Sequence, residues 1–86
     1  MPKICRWNGI VIEMFWPDHP PPHFHALYAE FEARIAIDTL DVLTSDLPHR
    51  VLAEVLGWAR SRQVELRENW TLCRNLQQPS KIAPPE

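Results

Sequence analysis

"HFHALYAEFEARIAID", His23 to Asp38, decides the fold. Phe24, Ala26 and Tyr28 alternate with His23, His25 and Leu27, and Phe31, Ala33, Ile35 and Ile37 alternate with Glu32, Arg34 and Asp38. Strict alternation over this length is the pattern of strands with one buried face. A two-residue turn at Ala29-Glu30 sets Tyr28 opposite Phe31, Ala26 opposite Ala33 and Phe24 opposite Ile35, all on one face. His25 then lies opposite Arg34, and Leu27 opposite Glu32, on the other. Covering Glu32 and Arg34 with other elements costs several kcal/mol unless they are paired, whereas burying the apolar set is favourable by ~25 cal/mol per Å². The apolar set is therefore the expected core face, and the histidines belong opposite it.

Upstream, "KICRWNGIVIEMFW" (residues 3–16) predicts another hairpin. Asn8-Gly9 is the signal, because a type I′ turn needs φ > 0 at both central residues. That turn pairs Trp7 with Ile10, Cys5 with Ile12 and Lys3 with Met14. Trp7, Cys5, Ile10, Ile12 and Met14 then share one face, and Ile4, Arg6, Val11, Glu13 and Phe15 the other. "PDHPPP" (17–22) cannot join a ladder, since proline has no N–H to donate, and predicts an extended polyproline-like connection.

Downstream, "DVLT" (41–44) predicts a short edge strand, and from Leu47 the period becomes helical. Val51, Leu52, Val55, Leu56 and Ala59 recur on one face, and Leu66, Trp70 and Cys73 continue the repeat. Pro48 suits a first helical turn, with Asp46 as a cap. One helix from Pro48 to Gln77 would run ~45 Å, longer than so small a domain holds, which predicts a break near Ser61–Val64. Residues 78–86 carry three prolines and read as a flexible tail. The expectation is one α+β domain over residues 1–77: an antiparallel sheet of four to five strands, covered on one face by two C-terminal helices.

Composition limits the function classes. Eighty-six residues make a thin core, and Trp7, Trp16, Trp58 and Trp70 are the side chains able to enlarge it. Two cysteines, Cys5 and Cys73, make neither a disulfide framework nor a four-cysteine zinc site, and both read as buried thiols. No apolar run suggests a signal peptide or membrane span, so a cytoplasmic protein is expected. A net charge of −2 excludes a strongly basic nucleic-acid binder. It conceals an asymmetry: residues 1–46 hold three basic residues against seven acids, and residues 47–86 six against four.

"DHPPPHFHA" (18–26) gathers three of the four histidines. His23 and His25, two apart on a strand, face one way with Cα atoms ~6.6–7 Å apart, a spacing that can present two imidazoles to zinc or nickel. Asp18 or Glu13 could complete such a site, whereas His19 joins it only if the prolines bend. Alternatively the histidines serve the structure, hydrogen-bonding loop carbonyls. Arg34 beside His25 suits a third chemistry, in which the guanidinium holds a phosphate while a neutral histidine acts as general base. His23, His25 and Arg34 are thus candidate catalytic residues, with His23 or His49 as the paired acid. A fourth reading needs no chemistry: Val11, Phe15 and Leu27, rimmed by Glu13, Glu32, Asp18 and His19, have the apolar centre and charged border of a partner surface.

"P-x-I-x-R-x-x-G-I-V-I-x-M" (2–14), "DHPPPHFHA", "LP-x-R" (47–50), Trp58 and "ENW" (68–70) together resemble the bacterial domain-of-unknown-function family numbered 4160. The resemblance runs through nearly the whole chain, and its signature lies in Asp18, His19, Pro21, Pro22, His23, Phe24, His25 and Ala26. Where the family commonly has glycine after "HFHALY", this chain has Ala29-Glu30. The family has no settled activity, and its members are small proteins often encoded beside another short protein in toxin–antitoxin-like pairs. The resemblance therefore implies one component of a two-protein module, acting through a small partner encoded nearby or as a homodimer. A histidine-based hydrolase such as a ribonuclease toxin, and a His-x-His metal module, are the alternatives.

Overall fold

The computed structural model describes residues 2–15 and 19–85. Five strands, β1 (Lys3–Trp7), β2 (Ile10–Glu13), β3 (His23–Tyr28), β4 (Phe31–Ala36) and β5 (Val42–Ser45), precede two helices, α1 (His49–Arg60) and α2 (Gln63–Arg74). The strands form one antiparallel sheet in sequence order. This is the expected α+β arrangement, with β5 starting one residue later than "DVLT" implied.

Both hairpins turn where the sequence placed them. Asn8 and Gly9 adopt φ of 48° and 79°, and Trp7 pairs with Ile10, Cys5 with Ile12 and Arg6 with Val11. The pairing of Lys3 with Met14 is corrected: Lys3 lies opposite Glu13, because β1 is irregular between Lys3 and Cys5. The extra residue turns Ile4 inward next to Cys5, leaving them 1% and 7% exposed. The β3–β4 register follows the alternation at every pair, from His23 opposite Ala36 to Tyr28 opposite Phe31. Ala29 makes this turn at φ 53°, a left-handed conformation more often taken by glycine.

Phe24, Ala26, Ala33, Ile35 and Ile37 are fully buried and join Ile10, Ile12, Val51, Val55, Trp58, Leu66 and Trp70 in the core. Trp58 lies against both hairpins, its ring centroid 5.3 Å from Trp7 and 6.0 Å from Phe24. The chain breaks between the helices at Ser61–Arg62. Its principal extents of 33 × 25 × 23 Å could not hold an unbroken helix of ~45 Å. Asp46 does not cap α1: Pro48 occupies that position, and the Asp46 carboxylate accepts the Glu32 N–H at 2.8 Å.

Two segments depart from expectation. The proline run bends at Pro20–Pro21, whose peptide is cis, so it is not a straight polyproline helix. Residues 78–85, expected as a flexible tail, dock on the domain. Ile82 is 5% exposed and donates its N–H to the Ile4 carbonyl, and the Asn69 amide both accepts from Ser80 N–H and donates to Ser80 C=O. The Trp58 indole donates to Ala83 C=O. An apolar Ile82 and a buried amide with no other partner shown make docking favourable where composition alone suggested a loose end.

Candidate functional site

The site lies on the sheet face turned away from the helices, and strand alternation builds it. Phe24 and Ala26 enter the core, so His23, His25 and Leu27 project the other way. Across the β3–β4 ladder, His25 faces Arg34 directly and Glu32 diagonally, within reach of a long side chain. The diagonal contact forms: His25 Nδ1 donates to Glu32 Oε2 at 3.0 Å. Arg34 turns outward instead, its Nε donating to Thr44 Oγ1 on β5 at 3.3 Å. Sequence reasoning placed the guanidinium against His25, but a carboxylate takes that place because it can accept from the ring N–H.

His23 anchors its Nδ1 in the same way, donating to Pro21 C=O at 2.8 Å. Carboxylates and carbonyls only accept, so a neutral ring at either position carries its lone pair on Nε2. The two ring centroids are 5.2 Å apart, and the Phe15 and His25 rings stand nearly perpendicular with their centroids 4.2 Å apart. His23, at the start of β3, also lies 5.5 Å from the Trp70 ring of α2. The far face is consequently closed around the imidazoles: His23 is 5%, His25 8% and Glu13 6% exposed. The expectation of an open histidine face is corrected on this point: Phe15 stands against His25, and at the start of β3 the Trp70 ring of α2 stands against His23.

Beside this cluster the face opens into a shallow depression of about 490 Å³, lined by His25, Glu30, Glu32, Arg34, Thr44, Ser45 and Asp46. Val11, Phe15 and Leu27 lie half-buried and Glu32 and Arg34 exposed, while His19 is exposed within the proline run. Asp18 lies outside the described residues. The structure thus brings His23, His25, Glu32 and Phe15 together, and sends Arg34 to β5.

As a metal centre, His23 and His25 offer two imidazoles whose other ring nitrogens are anchored, which is how ligating histidines are usually oriented. Among the described residues, no group of three or more His, Cys, Asp or Glu side chains is placed to hold a metal ion. As a catalytic site, the Glu32–His25 pair has the form of a general base held by a carboxylate. His49 begins α1 and is exposed.

Sequence reasoning missed Glu30, Thr44, Ser45 and Asp46 as lining residues. Their contribution depends on β5 folding back along β4, and a four-residue edge strand carries little periodic signal. Among the described residues no helix is long and apolar enough to cross a membrane. A family model described as "Domain of unknown function (DUF4160)" matches residues 9–71. No curated protein and no solved structure matches the chain.

Proposed function

Because the chain belongs to the DUF4160 family, whose description names no activity, we propose its function from the geometry of the sheet: it binds a protein partner. In this reading it is a cytoplasmic component of a toxin–antitoxin-like two-protein module. The observation that carries the proposal is the depression beside His25, with Glu30, Glu32, Asp46 and Arg34 around it. Small-molecule sites usually enclose their ligand, whereas this surface is shallow and bordered by charge, as partner surfaces are at their rims. The Glu32–His25 hydrogen bond holds part of that border in place.

The Glu32–His25 pair also supports a second reading, a histidine-based hydrolase in which His25 takes a proton and Arg34 holds a phosphate. One experiment separates the two. The chain is co-expressed with the protein encoded beside it, purified, and assayed for complex formation and for RNA cleavage in excess chelator. Partner binding predicts a complex that Glu32→Lys weakens by about tenfold or more, as reversal of a charge at an interface does. Cleavage lost with His25→Ala favours the hydrolase. Absence of a complex removes the partner reading.

A further inference from the structure

The two edges of the sheet differ in a way that points to one mode of binding. The β1 edge is occupied by the chain's own C-terminal segment, with Ile82 N–H on Ile4 C=O and Lys81 Nζ on Lys3 C=O. At the other edge, all four residues of β5 are exposed, including Val42 at 41% and Leu43 at 42%. An edge strand turns every second main-chain N–H and C=O away from its neighbour, ready to accept another strand.

Charge says which strand fits. Asp41 and Asp46 bracket β5, and Glu30 and Glu32 stand with Asp46 around the adjoining depression, where Arg34 is the one arginine or lysine among the described residues lining it. A second copy pairing antiparallel through β5 would bring Asp41 of each chain opposite Asp46 of the other, which opposes self-association. A strand with lysine or arginine at both ends would meet carboxylates there. The β4–β5 ladder shifts between Arg34 and Ile35, so that Leu43 is the unmatched residue and β5 bends. The bend restricts an added strand to a few residues.

We infer that β5 is a strand-addition site for a short extended segment of a partner protein, apolar in its middle and basic at both ends. This rests on the partner-binding reading and names the edge and the chemistry through which it operates. Main-chain pairing would supply affinity, and the four carboxylates the selectivity.

The test uses the full chain and a capped peptide, Lys-Val-Thr-Val-Thr-Lys, against the same peptide with glutamate at both ends. In amide-resolved NMR titrations, the lysine peptide should shift the amides of residues 42–46, and the glutamate peptide should bind about tenfold more weakly or less. Asp41→Lys should erase the preference. Equal affinity for both peptides, shifts centred elsewhere, or no shift at millimolar peptide overturns the inference. A sedimentation profile of a β5-dependent dimer overturns it too, by putting a second copy on the edge. The encoded neighbour distinguishes the two levels. If it binds and Asp41→Lys together with Leu43→Pro leaves its affinity unchanged, the edge assignment fails and the partner reading stands. If it does not bind while the lysine peptide does, the reverse holds.

Discussion

Burial pushes the thiol pKa of both Cys5 and Cys73 above 9.0, and for Cys5 this outweighs a backbone hydrogen bond and the Arg62 charge, which act in the opposite direction. Folding therefore favours the neutral thiols. Their contribution to stability is fully present below the unfolded value near 9.0, and is lost as pH rises through it toward the folded values. The melting temperature should accordingly hold up to about pH 8 and fall as the pH rises past 9, with a shallower fall in Cys73→Ala. Identical alkaline slopes in the two proteins would remove the thiol of Cys73 as a cause. Both cysteines were readable as inert from their apolar neighbours in the sequence. His25 was not, because its partner was decided by which of two opposed side chains, Glu32 or Arg34, could accept from its ring.

Helix α2 ends on a left-handed residue, Leu76, at φ 58°. Its N–H donates to Cys73 C=O and that of Gln77 to Leu72 C=O, the paired bonds of a Schellman ending, in which glycine is usual at this position. Leu76 is also 67% exposed, so little packing offsets the backbone cost. Leu76→Gly should stabilise the domain by about 1 kcal/mol, read as a higher urea midpoint with an unchanged slope. A lower midpoint would mean that Leu76 makes contacts worth more than the strain. At the same scale, Asn8-Gly9 and the alternation in β3 and β4 were legible because turn geometry and pleat leave direct marks on residue type. The irregularity in β1 was not, since Ile4 and Cys5 both suit a core and no local signal says that both enter it.

The last described residues belong to the molecule as much as the helices do. Ile82 fills the core beside Ile4, and Asn69, 1% exposed, finds both of its described hydrogen bonds on Ser80. Deleting residues 78–86 exposes the surroundings of Ile82, at roughly 1.5–3 kcal/mol, and strips a buried amide of its partners, at roughly 1–3 kcal/mol. Against a total of roughly 5–15 kcal/mol for a small domain, the truncated chain should melt well below the full one, with Ile82→Ala between them. Unchanged melting on truncation would show that the segment is dispensable. Asn69 and Trp70 of the "ENW" triplet thereby acquire structural roles, one clamping this segment and the other standing against His23.

Fold class, both hairpin turns, the faces of β3 and β4 and the break between the helices were all determined by sequence, because pleat period, helical period and turn conformation act within a few residues. Tertiary structure alone decided the bulge that buries Ile4, the docking of residues 78–85, the choice of Glu32 over Arg34 as the partner of His25, and the closing of the histidine face. Each of these is a competition among side chains distant in sequence for the same space or the same hydrogen bond, and local pattern carries no term for the competitor.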